Sequence, residues 1–113
     1  MFEIRNYQFE PSLFDEYKAW AKKLGVPYFK KKMDIVGFWV VNDDPPIFGG
    51  SLPQDAGATF ANIVWIIRWD DRAQRDRVWE ETKSDPEKIE IFSTVPGGMT
   101  SYLKTEVKFA EEI

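Results

Sequence analysis

The stretch "NIVWIIRWDDRAQR", residues 62–75, limits most tightly what this chain can fold into. Five apolar residues run in succession from Ile63 to Ile67, followed by Arg68 and Trp69. Side chains alternate along a strand. A strand built here therefore presents Ile63, Trp65, Ile67 and Trp69 on one face, and Val64, Ile66 and Arg68 on the other. Both faces need cover, and a chain of 113 residues has few elements with which to supply it. The expectation must include what lies on the second face.

The rest of the sequence supplies elements in a definite order. Phe2 to Phe9 reads as a first strand through Ile4, Tyr7 and Phe9. Ser12 is a good helix N-cap, with Asp15 as a weak capping-box partner. Leu13, Phe14, Tyr17, Trp20, Ala21 and Leu24 follow helical spacing. Gly25 and Pro27 are expected to end that helix, and Tyr28 to Lys32 is ambiguous, at most a short extra turn. Met33 to Asn42 is a second strand. Strict alternation puts Ile35, Gly37, Trp39 and Val41 on one face and Val36, Phe38 and Val40 on the other, so it too is apolar on both sides. Asp43 to Thr59 is rich in proline, glycine and aspartate, a long loop of the kind that often serves as a lid. The third strand covers Phe60 to Trp69. Asp70 or Asp71 caps a second helix reaching about Lys83, and Asp85-Pro86 opens a short further one. Thr94 to Thr100 is a loop, and Ser101 to Phe109 is a last, edge-like strand.

This order is β-α-β-β-α-β: an α+β, ferredoxin-like domain with an antiparallel sheet, spanning 1–113. Right-handed crossovers put both helices on one face of the sheet. The other face would be polar at alternate positions in a lone subunit, yet strands 2 and 3 are apolar there. The economical solution is a homodimer whose sheets face each other as a dimeric α/β barrel, since large exposed apolar patches mark interfaces. The alternative is a monomer in which bulky side chains wrap the sheet edges.

Composition narrows the chemistry. Cysteine and histidine are both absent, so thiol nucleophiles, Ser-His-Asp catalysis, His-ligated haem and common zinc sites are excluded. General acid–base work falls to carboxylates, Tyr or Lys. A net charge of −4 with no clustered basic face argues against nucleic acid. No apolar run has the length of a membrane span, and the N-terminus lacks signal-peptide features, so no membrane partner and a cytoplasmic location are expected. The expected cofactor is none, and no metal site is expected.

Three segments carry a family resemblance: "FEIRNYQFEPSLFDEYKAW", "VGFW" and "RWDDRAQRDRVWEETKSDPE". In this order the chain resembles the NIPSNAP family of the dimeric α/β-barrel superfamily over most of its length. The resemblance implies a homodimer of undefined activity. Superfamily relatives include cofactor-independent monooxygenases, polyketide cyclases, isomerases and haem-degrading enzymes, and fold does not choose among them. The chain departs from the family where His-Leu-Trp often precedes Arg-Tyr: those places hold Trp65, Ile66 and Ile67. Trp69 replaces a common Tyr, and Lys88 stands where an aromatic often follows Asp-Pro-Glu. An inherited acid–base histidine therefore has no counterpart.

Arg5, Tyr7, Trp39, Trp65 and Trp69 are expected to line one surface, if the strand registers agree. Such a surface suits a flat aromatic or polyketide-like molecule with an anionic or enolate oxygen facing Arg5. The competing reading is plain core packing with Arg5 paired to a carboxylate. Asn6, Asn62, Tyr7 and Trp39 are similar to the polar-plus-Trp sets of the superfamily monooxygenases, without a residue-by-residue match. Arg68 is either a ligand clamp or a salt bridge at the strand end. Two functions stay open: a small-molecule enzyme working without a cofactor, or a non-catalytic binding module whose aromatics are core and interface.

Overall fold

The structure is a computed structural model, and it describes residues 1–53 and 60–113. Four strands form one antiparallel sheet: β1 (Phe2–Phe9), β2 (Asp34–Val40), β3 (Ile63–Arg68) and β4 (Tyr102–Ala110). Their order is β2-β3-β1-β4, the ferredoxin-like arrangement. The alternation expected of β3 is present: Ile63, Trp65 and Ile67 are buried, while Val64 and Ile66 are half-buried and Arg68 is exposed. The helices cover the first set; the second set lies on an open face.

The first crossover is longer than Gly25 and Pro27 suggest. After a 3-10 turn at Pro11–Leu13, α1 (Phe14–Trp20) runs through a π-helical turn at Ala21–Gly25 into α2 (Val26–Lys32). Ser12 does not cap it. Glu10 does, its side chain accepting from the Ser12 backbone N–H. The π-turn explains how the helix survives Pro27. Proline cannot donate to the preceding turn and its ring crowds the carbonyl there. Widening the helix just before it, with the Val26 N–H reaching back to the Ala21 carbonyl, relieves that conflict. Gly25 keeps helical dihedrals and serves as a seat for Trp20, since a Cβ there would lie 2.9 Å from the indole Cζ3.

The second crossover follows expectation. Asp71 caps α3 (Arg72–Lys83) by accepting from the Gln74 N–H, and Asp85 caps α4 (Pro86–Phe92) through the Glu87 N–H.

Both edge strands depart from strict alternation. β2 shifts register between Ile35 and Gly37, so that Phe38 lies opposite Trp65 and Trp39 opposite Val64. β4 shifts where Gln8 gives way to Phe9, which brings Tyr102 opposite Phe9. Each shift is a β-bulge, which adds one residue to one strand and reverses the faces beyond it. Phe38 and Tyr102 are thereby turned to the helix side. Trp39 is turned to the open face, where it lies across Gly37 and is 50% exposed.

Candidate functional site

A carboxylate lies at the base of the site. Glu3 on β1 is fully buried, which is costly for a charged group unless it is paired and hydrogen-bonded. It has four donors. Arg75 of α3 donates from Nε (3.0 Å) and Nη2 (3.1 Å), Trp69 from Nε1 (2.9 Å), and Trp79 from Nε1 (3.2 Å). Arg5 Nη1 adds a charge-assisted bond. Burial pushes the Glu3 carboxyl up. The bonds from Arg75 and the charges of Arg5 and Arg75 outweigh that and hold it below the usual glutamate range. Glu3 is therefore a permanent anion at neutral pH.

Arg5, two residues along on the same face, donates from Nε to the Tyr7 hydroxyl. Its guanidinium carbon lies 4.4 Å from the ring centre of Trp79, 5.4 Å from Trp65 and 5.6 Å from Tyr7. A cation set among three aromatic rings is held by their quadrupoles as well as by its hydrogen bonds.

Above this group, between the helix side of the sheet and the helices, is a cavity of about 540 Å³. Arg5, Tyr7, Trp65 and Phe38 supply its floor from β1, β3 and β2, with Tyr102 and Thr105 from β4. Trp20, Phe29, Trp79 and Phe92 enclose it from the helices. The rings are packed against one another: Phe29 and Trp65 have centroids 4.9 Å apart, Phe38 and Trp65 5.5 Å, and Tyr7 and Tyr102 5.7 Å. Arg5, Lys83 and Lys88 are the charged side chains of the wall, and no described residue lining it is a carboxylate.

The protonation states follow from burial. Tyr7 is pushed above the ordinary tyrosine value by burial, against the opposing charge of Arg5. Burial likewise holds Tyr17 and Tyr102 well above it. These hydroxyls stay protonated at neutral pH and act as hydrogen-bond partners rather than bases. Burial pulls Lys88 below the ordinary lysine value, and the charges of Arg5 and Lys83 pull it further.

The sequence candidates separate. Arg5, Tyr7 and Trp65 come together in the cavity floor. Trp39 is on the opposite face of the sheet because of the β2 bulge. Trp69 shares the helix side but bonds to Glu3 and does not line the cavity. Asn62 closes a two-way bridge with the Phe9 backbone, accepting at 2.8 Å and donating at 3.0 Å, and so extends the β1–β3 pairing. Arg68 is exposed and pairs with Asp34 at 3.5 Å across the strand end. Asn6 and Trp39 flank Val64 on the open face while Tyr7 is on the helix side, so Asn6, Asn62, Tyr7 and Trp39 do not form one surface. The loop after β2 contributes no described residue to the cavity wall, and its residues 54–59 lie outside the described ones.

Trp79, Lys88, Tyr17 and Tyr102 line the cavity but are not among the site residues expected from sequence. Trp79 could have been found from the spacing Arg75, Val78, Trp79, Thr82 along one side of α3. Lys88 stood out only as a departure from the family pattern. Among the described residues no group of three or more His, Cys, Asp or Glu could hold a metal ion, and no helix is long and apolar enough to cross a membrane.

Comparisons with solved structures reproduce this architecture. A NIPSNAP domain protein from Burkholderia xenovorans superposes with a TM-score of 0.74 at 16% identity, covering 99% of this chain and 93% of that one. A NIPSNAP family protein of unknown function from Agrobacterium tumefaciens gives 0.70 at 17% identity, over 95% and 82% of the two chains. A second from the same organism gives 0.71 at 11% identity, over 95% and 80%. The chain has the fold of these proteins. No family model matches its sequence, and no curated protein does.

Proposed function

We propose that the chain is a NIPSNAP-family protein that pairs with a second copy and holds a small aromatic or polyketide-like molecule between its sheet and helices, without metal or organic cofactor. The carrying observation is the cavity of about 540 Å³ walled by aromatic side chains with Arg5 and Tyr7 in its floor. Ligand sites are concave, mostly apolar and of several hundred Å³, with a few polar groups fixing orientation. Solid core packing would leave no such space. The fold shared with NIPSNAP proteins and the three sequence segments support the family reading.

The chemistry such a site supports is electrostatic. Arg5 is fixed by Glu3, Tyr7 and three rings, so a developing enolate or phenolate oxygen above it would meet a preorganised cation. The protonated Tyr7 hydroxyl lies beside it as a hydrogen-bond partner. The wall offers neither carboxylate nor histidine as a general base. With its tyrosines held protonated, Lys83 and Lys88 are the bases left in that wall, and it suits binding, or stabilisation of an already acidic substrate, better than abstraction of a tightly held proton.

Homodimerisation rests on the open face. Ile4, Val64, Ile66 and Trp39 share it, and burying large apolar side chains is worth roughly 1.5–3 kcal/mol each. In dilute solution the 13.2 kDa chain should scatter light as a particle of twice that mass. The ligand reading is tested by calorimetric titration with planar bicyclic aromatics. Saturable one-to-one binding that is lost in Trp65→Ala, with the fold retained by circular dichroism, supports it. No heat from any member of the panel overturns it.

A further inference from the structure

Lys88 has no assigned task, and its surroundings are unusual for a lysine. It is half-buried in the wall of the cavity, with Nζ 5.4 Å from the ring centre of Trp79 and 5.8 Å from that of Phe92. No carboxylate among the described residues lies within ion-pair distance of it; its one hydrogen bond is a long one, 3.5 Å, to the Thr82 hydroxyl. Desolvating an ammonium without a counter-ion is costly. Several exposed lysines of this chain do have acidic partners: Lys31 pairs with Glu87, Lys83 with Glu80 and Lys108 with Glu106.

A second cation lines the same wall. Arg5 and Lys88 both lie against Trp79, at 4.4 and 5.4 Å from its ring centre. The nearest anion to Arg5 is Glu3, whose charge is already shared with Arg75. Lys88 thus stands without an ion-pair partner among the described residues, on an apolar wall beside Arg5, where a charge–charge attraction is worth more than in water.

We propose that Arg5 and Lys88 form an anion site, and that the ligand class is an aromatic carboxylate: a planar apolar body stacked among Trp20, Phe29 and Trp65, with its carboxylate between the two cations. The proposal rests on the ligand reading above and adds the charge of the ligand and the residue that reads it. A carboxylate supplies the counter-ion that Lys88 lacks and a second one for Arg5, whose Glu3 is shared with Arg75, and charge-assisted bonds to it are the strong kind. A neutral ligand of the same shape would cover Lys88 further without giving it a counter-ion.

The test is isothermal titration calorimetry with 2-naphthoate and its neutral counterpart 2-naphthylmethanol. On the wild-type chain, naphthoate should bind about tenfold more tightly or better, the loss of one charge-assisted hydrogen bond being worth at least that. Lys88→Met should remove the preference while leaving the alcohol's affinity within about twofold. Lys88→Arg should retain it, which a purely structural lysine would not require. Equal affinities in the wild type, or a preference that survives Lys88→Met, overturn the anion site and leave the aromatic cavity standing. Binding of neither probe takes down the ligand reading and the anion site together. Should Lys88→Met not fold, the wild-type comparison of the two probes decides alone.

Discussion

Arg75 and Glu3, 72 residues apart, form a two-point ion pair: Nε to Oε1 at 3.0 Å and Nη2 to Oε2 at 3.1 Å. This joins α3 to the first strand beneath the cavity and fixes the position of Arg5, which shares the same carboxylate. A buried charge so surrounded is poor evidence for net stabilisation over an apolar replacement of the whole group. Breaking it from one side is another matter, because the remaining charges lose their counter-ion. Glu3→Gln leaves two arginines facing a neutral amide, and should destabilise the fold by about 3–5 kcal/mol. Urea unfolding followed by tryptophan fluorescence measures this, and a loss below about 1 kcal/mol would mean that the arginines find other partners.

The same group sets an acid limit. The folded-state pKa of Glu3 is lowered from an ordinary value of 4.5: burial raises it, and the bonds and charges of Arg75 and Arg5 lower it by more. The unfolded state therefore takes up the proton first as pH falls. The contribution of Glu3 is fully present above pH 4.5 and is lost as pH drops through the lower folded value. The stability gap between wild type and Glu3→Gln should be constant from neutral pH to about 5 and shrink below 4.5. A gap that closes above pH 6 would assign the effect to another residue.

Much of this fold can be read from sequence because its signals are local. The side-chain alternation of β3, the Asp71 and Asp85 caps and the element order each follow from a few adjacent residues. The cavity floor is less legible for one reason. A β-bulge reverses every face beyond it and leaves no unmistakable mark in sequence. Strict alternation groups Trp39 with Arg5 and Trp65, whereas the β2 bulge substitutes Phe38 for it. The β4 bulge likewise hides Tyr102. The Glu3 cluster is hidden differently: a glutamate in a strand reads as solvent-facing until its partners from α3 and from Trp69 are known.

Gly25 gives a third prediction, in which two effects oppose. It is helical, and alanine there would gain up to about 1 kcal/mol in helix propensity. The added Cβ would meet Trp20 Cζ3 at 2.9 Å, and Trp20 is not free to move. Its Nε1 donates to the Thr94 hydroxyl at 3.1 Å and the Ile91 carbonyl at 3.3 Å, tying α1 to α4 and its C-terminal end. Overpacking of this kind costs about 1–3 kcal/mol. Gly25→Ala should therefore be net destabilising, with a loss of near-ultraviolet circular dichroism from Trp20. A higher melting temperature would show that propensity decides.

Phe38 and Trp39 are neighbours on one strand, and the bulge gives them opposite duties. Phe38 faces Trp65 in the cavity, 5.5 Å between centroids, while Trp39 lies across Gly37 on the open face. If two copies pair through the open face as proposed, Trp39→Ala should leave the cavity intact and weaken that pairing by about 2 kcal/mol, as loss of a buried interface tryptophan does. Phe38→Ala should do the reverse: dimerisation unchanged, and a loss of about 1–2 kcal/mol in stability because the ring is only half-buried. Sedimentation equilibrium over a hundredfold range of concentration, with urea melts of both variants, separates the two. If Phe38→Ala alone dissociates the dimer, then the helix side and not the open sheet face forms the contact.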